Sequence, residues 1–256
     1  MKRSDGKITE MEDDEFTAWL TAQLASLPGV QAVSLGGSRA RREHRPDSDW
    51  DFAIYYRGRF DPAALRAKAW RGEVSDVGGW GGGVMNGGAW LTIDSRRVDV
   101  HYRDLEEVEH WCAEASQGRY KKEFLPFYVA GIPTYVVMGE LALHRVLAGH
   151  LPKPEYPAAL AREASRRWRA DAIASLGYGV KALHELGDVA VGVANASRGL
   201  IEASHGCLAE RRDWALNEKR ITERAGLAGQ AERLVSVATH AELLDAMSAI
   251  RDQLQP

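Results

Sequence analysis

The segment Asp49–Tyr56 (DWDFAIYY) constrains the fold of this chain most, because apolar side chains recur at every second position beside two aspartates. Successive side chains of a β-strand point to opposite faces of the sheet, so residues two apart share a face. The large apolar residues therefore form one face that can pack on helices, and Asp49 and Asp51 lie side by side on the other. This pattern predicts a strand with two carboxylates on its polar face.

The two carboxylates indicate a metal site. Adjacent carboxylates repel each other, and burying both without a partner is unfavourable. A divalent cation removes that penalty, and oxygen ligands suit Mg²⁺. The segment Arg97–Tyr102 repeats the pattern with Asp99 alone on its polar face. If the two strands pair, Asp99 completes a three-carboxylate cluster that can hold two metal ions. The alternative is that these aspartates are surface residues of edge strands.

A glycine–serine loop precedes the first of these strands. The segment 30–35 predicts a short strand, and Gly36, Gly37 and Ser38 end it before a short helix. Glycine lets the backbone approach a phosphate closely, a helix N-terminus favours anionic oxygen, and Ser38 can donate a hydrogen bond. Alone, such a loop is also an ordinary turn. The combination with a following Asp-x-Asp inside an apolar strand is more specific.

The chain changes character after Gly118, from alternating strands and helices to helical spacing that continues to Leu254. We predict an α+β fold, in which a small mixed β-sheet domain with flanking helices (residues 1–117) precedes an all-helical domain (residues 118–256). Within the first domain the sequence predicts helices from Asp13, over 61–70 and over 104–116, and further strands over 90–93 and 97–102.

The glycine-dense stretch 72–88 is not a Walker phosphate loop, since no Gly-Lys-Ser/Thr closes it. It is either a flap over the site or a long surface loop. We expect Trp80 and Trp90 to be buried packing residues, with stacking on a base or sugar as the alternative. The histidines show no metal-ligand spacing, although His101 lies beside the candidate site and His144 falls in a helical segment.

Charge and cysteine content exclude several classes of protein. The chain has 33 Lys and Arg against 36 Asp and Glu, a formal net charge of −3, which argues against a protein that mainly coats nucleic acid. The two cysteines, Cys112 and Cys207, cannot form a disulfide framework. No apolar run is long enough to span a membrane and the N-terminus lacks a signal peptide, so we expect a cytoplasmic protein.

The sequence GGSRARREHRPDSDWDFAIYY resembles the signature of the DNA polymerase beta-like nucleotidyltransferase superfamily, and VDVHY supplies its third carboxylate. The resemblance implies that Gly37 and Ser38 bind a triphosphate and that Asp49, Asp51 and Asp99 are catalytic metal ligands. The predicted architecture looks most like the aminoglycoside nucleotidyltransferases. The sequence departs from this signature at Arg42, where many relatives have glycine. The loop conformation at this position therefore does not follow from the resemblance, whereas the metal ligands do.

The same resemblance suggests three further site residues. Glu140, an acid in a mostly apolar helical run, is the candidate general base with a raised pKa; the alternative is a partly exposed residue that pairs with Arg145 or is solvated. The segment 214–220 resembles a helix whose lysine reaches the nucleotide phosphates, so Lys219 is a candidate, with a solvated lysine as the alternative. Arg39, just after the loop, is a candidate for the same role.

The resemblance thus implies an enzyme that uses Mg²⁺, two ions, to transfer a nucleoside monophosphate from a nucleoside triphosphate such as ATP. The acceptor would be a hydroxyl of a small molecule, such as an aminoglycoside-like antibiotic, and pyrophosphate would leave. We expect no stable nucleic-acid partner and no membrane, and a homodimer stays open because dimers occur in the resembling group. The alternatives are a protein or RNA acceptor, or a non-catalytic nucleotide-binding member of the fold.

Overall fold

The computed structural model describes residues 11–237 and 239–254. These form two compact units, the first from the described residues of 1–109 and 140–153, the second from those of 110–139 and 154–256. The strands are, in chain order, β1 (Val30–Leu35), β2 (Trp50–Tyr56), β3 (Arg71–Val74), β4 (Gly88–Ile93), β5 (Arg96–Asp104), β6 (Lys122–Glu123), β7 (Ile132–Pro133) and β8 (Arg145–Ala148). The helices are α1 (Asp13–Ala25), α2 (Gly37–Arg41), α3 (Ala63–Arg66), α4 (Leu105–Ser116), α5 (Val136–Leu143), α6 (Ala158–Leu186), α7 (Val189–Glu210), α8 (Ile221–Ala225), α9 (Ala228–Val235) and α10 (His240–Asp252).

The first unit is built on a mixed sheet of six strands in the order β3-β4-β5-β2-β1-β8. All neighbouring strands run antiparallel except β2 and β5, which are parallel. The two aspartate-bearing strands are therefore adjacent, and Asp51 lies opposite Asp99 in their register. Together with the helices that follow, this sheet confirms the predicted fold class.

The apolar face of the sheet carries the core of the first unit. Phe52 and Ile54 of β2 and Val98 and Val100 of β5 are fully buried there, and Phe16 of α1 belongs to the same core. Each fully buried side chain of this kind contributes about 1.5–3 kcal/mol relative to an exposed one. Strict alternation therefore fixes which face is left for polar residues.

The predicted helix over 61–70 is wrong in length, because α3 ends at Arg66 and β3 begins at Arg71. Ala69 between them has a φ of +55°, a conformation that a helix cannot contain. The sequence did not reveal β3 because this edge strand is short and mostly exposed and lacks an alternating apolar pattern.

Segment 140–153 belongs to the first unit, because β8 pairs antiparallel with β1 at the edge of the sheet. Gly149 ends this strand with a φ of +74°, and a side chain there would overlap the backbone of Gln31. The predicted domain boundary at residue 117 remains a prediction, and the structure adds that a strand from beyond it completes the sheet.

The second unit is mainly helical. Its longest elements, α6 and α7, pack against each other and are joined at Gly187, whose φ of +63° ends α6, and at Asp188, whose side chain caps α7 by accepting from the Val191 N–H. Glycines permit the close approach of the two helices, since a Cβ on Gly199 would lie 2.7 Å from Leu176 Cγ. Among the described residues, no helix is both long and apolar enough to cross a bilayer.

Candidate metal and nucleotide site

The glycine loop packs directly onto one of the predicted metal ligands. β1 ends at Leu35 and α2 begins at Gly37, whose φ is +61°. A Cβ on Gly37 would overlap Oδ2 of Asp51, and the Gly36 N–H donates to the Asp51 carbonyl oxygen at 2.6 Å. Glycine at position 37 is therefore required twice, by the backbone conformation and by the carboxylate that lies against it.

Asp51, Asp99 and His101 form what we call the ligand cluster. Each offers one possible ligand atom, and these atoms lie within 4.8 Å of one another on the polar face of the sheet. Asp51 and Asp99 come together because they are register partners, and His101 follows Asp99 by two residues, on the same face. Two carboxylates and an imidazole at this separation are a donor set that fits a divalent cation.

The spacing between histidines in the sequence does not indicate His101 as a ligand. The available signal was its position two residues after Asp99 in the same strand. Burial, and then the nearby charge of Arg103, lower the pKa of His101 to about 4. Its imidazole is therefore neutral near pH 7, which is the form that binds metals.

Asp49 lies just before β2, outside the ligand cluster, although all three carboxylates were predicted to share the site. Its carboxylate accepts a hydrogen bond from Arg97 Nε, and Arg97 Nη2 also donates to the Asp47 carbonyl oxygen at 2.8 Å. Both side chains of this ion pair are exposed, at 45% for Asp49 and 68% for Arg97. Its role as a metal ligand remains a prediction.

The glycine-dense stretch folds back towards the polar face of the sheet. Trp80 stacks on Trp90 with ring centroids 4.7 Å apart and meets His101 edge-on at 5.5 Å. Gly88 makes room for it, because a Cβ there would overlap the Trp80 ring. The two tryptophans thus pack on each other at the border of the ligand cluster.

Glu140 does not have the environment predicted for it. Burial favours its neutral form, but Arg103 donates to both carboxylate oxygens at 2.6 Å, and the result is a pKa lowered to about 2. The expected raised pKa is therefore wrong, and the partner is Arg103, which is buried, not Arg145. A carboxylate held ionised by two charge-assisted hydrogen bonds is a poor general base.

His144 completes what we call the support cluster, Arg103, Glu140 and His144. His144 Nδ1 is hydrogen-bonded to the Ser34 hydroxyl at 3.0 Å, and a Cβ on Gly36 would lie 2.7 Å from Nε2 of this ring. Burial is the main cause that lowers the pKa of His144 to about 4. The support cluster thus braces the strand that leads into the glycine loop.

Arg39 lies next to the glycine loop and contacts Asp13, Ser48 and Trp50. Its buried guanidinium lies over the Trp50 ring at 3.9 Å, and it donates to the Ser48 carbonyl oxygen and to Asp13 Oδ2 at 3.1 Å. Because Trp50 belongs to the apolar face and Asp51 to the polar one, this arrangement does not support the predicted contact of Arg39 with the nucleotide.

Arg42, the departure noted in the sequence, ends α2 in the left-handed region with φ 61° and ψ 31°. Glycine adopts this conformation without steric penalty, whereas other residues lose about 1–2 kcal/mol. The loop therefore keeps a glycine-like conformation at position 42, at a cost in stability.

Lys219 lies in the second unit and is exposed. The segment that carries it was predicted to be helical, which is wrong, because it is a turn between α7 and α8. The turn is stabilised locally, since the Lys219 N–H donates to Asn217 Oδ1 at 2.9 Å and Glu218 accepts from the backbone N–H groups of Val129 and Ala130. The predicted contact of Lys219 with phosphate remains a prediction.

Residues 19–81 match the family model described as a nucleotidyltransferase domain. The matched segment contains the glycine loop and Asp51 and ends before Asp99 and His101, which the sheet brings alongside. The match confirms the predicted enzyme class, a nucleotidyltransferase. A comparison with curated proteins found no match.

Two solved structures are similar to the chain at low identity. One is a nucleotidyltransferase-like protein from Exiguobacterium sibiricum, with 12% identity and a TM-score of 0.45, covering 93% of this chain and 73% of its own. The other is the CdnE cyclic dinucleotide synthase of Elizabethkingia meningoseptica with GTP and Apcpp, with 11% identity and a TM-score of 0.27, covering 95% and 92%. At these TM-scores neither likeness supports a functional conclusion.

Proposed function

We propose that this protein transfers a nucleoside monophosphate from a nucleoside triphosphate to a hydroxyl group of a small acceptor and releases pyrophosphate. The observation that carries the proposal is the packing of Gly37 against Asp51, which lies beside Asp99. A loop suited to phosphates and side chains suited to a cation are thereby neighbours, as transfer from a metal-bound triphosphate requires. The family match of residues 19–81 agrees with this chemistry.

In this proposal the glycine loop binds the triphosphate. Gly36 and Gly37 allow the backbone to approach phosphate oxygens closely, and the Ser38 hydroxyl donates a hydrogen bond to one of them. No side chain separates Gly37 from the Asp51 carboxylate, so a phosphate bound at the loop lies near the ligand cluster.

Asp51 and Asp99 would bind divalent cations. The sequence predicts two Mg²⁺ ions. When bound, such a cation offsets the charge of the triphosphate and lowers the pKa of the attacking hydroxyl. Asp49 is a candidate additional ligand, because its ion pair with Arg97 is exposed and exposed pairs contribute only about 0–1 kcal/mol. A cation can therefore displace Arg97 at little cost.

Glu140 supports the site in this proposal and does not take the acceptor proton. Its two hydrogen bonds hold Arg103 at a fixed place in β5, two residues beyond His101. The support cluster thus keeps the strand of the ligand cluster in position, and the loss of Glu140 would affect activity through geometry.

The acceptor we favour is a small polyhydroxylated molecule of the aminoglycoside-like class, and the donor is ATP, both as implied by the sequence resemblance. An RNA acceptor is disfavoured by the net charge of −3, because RNA binding depends on many phosphate-neutralising cations. A cytoplasmic location belongs to the same expectations, and a homodimer stays open.

The test is an acceptor screen. The purified protein is incubated with Mg²⁺ or Mn²⁺, each of the four ribonucleoside triphosphates and a panel of aminoglycosides and other polyhydroxylated compounds. Pyrophosphate release is followed, and mass spectrometry identifies the nucleotidylated product. We expect release that depends on one acceptor class and that is absent in the Asp51→Asn variant.

Asp14→Asn is the matched control, because it removes an exposed carboxylate of α1 without touching the ligand cluster. Release that persists in Asp51→Asn would contradict the assignment of the site. Release only with a protein or RNA acceptor would replace the small-molecule acceptor and keep the chemistry.

A further inference from the structure

The ligand cluster contains a nitrogen donor where the sequence predicts only oxygen. His101 lies on the polar face of β5, and its register partners are Ala53 in β2 and Gly88 in β4. Ala53 carries only a methyl group and Gly88 has no side chain, and the Trp80 ring lies over Gly88 and meets the imidazole edge-on. The side chain that follows Asp99 on the polar face of β5 is therefore an imidazole and not a third carboxylate.

One nitrogen of this ring has no hydrogen-bond partner among the described residues. Nδ1 of His101 is buried and has no hydrogen-bond partner within the part of the chain that the structure describes. A buried polar atom left unsatisfied costs about 1–3 kcal/mol, so natural proteins retain one mainly where it has a function or binds something else. Possible ligand atoms of Asp51 and Asp99 lie within 4.8 Å of one from His101.

The chemistry of this donor set differs from that of a magnesium site. Mg²⁺ is a hard ion that prefers octahedral oxygen ligands and keeps several waters. Imidazole nitrogen binds transition ions, and Mn²⁺ also accepts carboxylates. Two carboxylates and one imidazole therefore favour Mn²⁺ over Mg²⁺.

We infer that His101 is a metal ligand together with Asp51 and Asp99, and that it makes the nucleotidyltransferase site selective for Mn²⁺ over Mg²⁺. The inference rests on the proposed function, because it names the ion of that same site. It assigns a residue that determines which metal the site takes, and it requires no change in the roles of the glycine loop or of Asp49.

Electron paramagnetic resonance of Mn²⁺ tests this directly. The full chain, labelled with ¹⁵N-histidine, is titrated with Mn²⁺ in the presence of α,β-methylene ATP, and the coupling of bound Mn²⁺ to histidine nitrogen is recorded. We expect nitrogen coupling in the wild type and in His144→Gln, and none in His101→Asn. Mutation of a residue that hydrogen-bonds a metal ligand typically weakens metal binding about 10–100-fold. Loss of His101 itself should weaken Mn²⁺ binding at least as much.

A second variant covers the case in which His101→Asn is unstable. His101→Asp restores an oxygen ligand, so Mg²⁺ competition should show its preference for Mn²⁺ over Mg²⁺ falling about tenfold or more relative to the wild type. Unchanged selectivity in this variant would overturn the inference.

Two outcomes separate the inference from the proposed function. Bound Mn²⁺ that shows no histidine coupling, but whose binding is lost in Asp51→Asn, would overturn the role of His101 and leave nucleotidyl transfer intact. Failure of the wild type to bind either ion with the nucleotide would overturn both.

Discussion

The ligand cluster and the support cluster lie on the same face of one sheet but bring together different kinds of groups. In the support cluster, Arg103 satisfies both oxygens of Glu140 from within the chain. In the ligand cluster, the groups that converge are two carboxylates and an imidazole, all of which can donate electron pairs. A buried carboxylate bound to an arginine of the same chain is typical of a structural ion pair, whereas electron-pair donors that converge at one point are typical of a metal site.

The largest expected effect separates the two clusters by activity. Asp51→Asn keeps the size of the side chain but weakens the cation site, and metal ions contribute several kcal/mol to such reactions. We expect kcat/KM to fall on the order of 10³-fold, about 4 kcal/mol, while the urea-unfolding midpoint changes little. A variant that retains activity within threefold of the Asp14→Asn control would remove the distinction between the clusters.

The next effect is on stability and concerns the support cluster. Arg103→Met leaves Glu140 buried with an unpaired charge, and breaking a buried pair in this way costs about 3–5 kcal/mol. The double variant with Glu140→Leu should recover a large part of that loss. Urea unfolding of the two single variants and the double variant measures the coupling, and strictly additive losses would show that the pair is not structural.

The glycine loop links the two clusters, and Gly37→Ala should affect both stability and activity. The new methyl group would overlap Asp51 Oδ2, and φ +61° is unfavourable for alanine. We expect a loss of about 1–3 kcal/mol in stability, with activity reduced as Asp51 is displaced. The matched control is Gly58→Ala, where φ is +74° but no atom lies within 4 Å of the new Cβ. Equal effects of the two changes would argue against the contact.

The pH dependence sharpens the contrast further. Glu140 has a folded pKa depressed to about 2, and His101 and His144 have folded pKa values near 4, below their ordinary values. Protonation of all three is therefore less favourable in the folded state than in the unfolded state, because burial disfavours the charged histidines and Arg103 holds Glu140 ionised. Stability should be complete above about pH 6.5 and should fall as the pH decreases towards 4.

Urea unfolding between pH 7 and 4 checks this dependence. The His144→Gln variant should lose less stability over that range than the wild type, because it lacks one of the groups that titrate there. A wild type whose stability is constant or rises as the pH falls would contradict the assignment.

The smallest effect concerns Arg42, which lies outside both clusters. Replacement by glycine removes the steric penalty of the left-handed conformation, although glycine adds freedom to the unfolded chain. We expect Arg42→Gly to stabilise the protein by about 1 kcal/mol and to leave the ligand cluster unchanged. Thermal unfolding measures the gain, and a lower midpoint would show that Arg42 makes contacts that outweigh the strain.

Local pattern made much of the first unit predictable. Alternation in 49–56 and 97–102 identified β2 and β5 and put the carboxylates on one face, since strand periodicity is a property of the chain itself. The glycine loop was predictable because a backbone that has a positive φ or closely approaches another group favours glycine over other residues. Short exposed strands such as β3 lack this pattern and were missed.

Residues whose roles depend on distant partners were not predictable. Glu140 reads as an isolated acid in an apolar helix, and its low pKa comes from Arg103, which is far from it in sequence. The contact of Arg39 with Trp50 likewise depends on the fold, and its contact with phosphate remains a prediction. The role of His101 can be predicted only from the register of β2, β4 and β5, because its neighbours are Ala53 and Gly88 on the adjacent strands.

The central claim is that the ligand cluster and the glycine loop form one metal-dependent triphosphate site. Isothermal titration of ATP into the wild type and Asp51→Asn, with Mn²⁺, with Mg²⁺ and with a chelator, tests it without knowledge of the acceptor. We expect ATP binding that requires a divalent ion and that Asp51→Asn weakens at least about tenfold. ATP binding of equal strength in the chelator, or in both proteins, would contradict it.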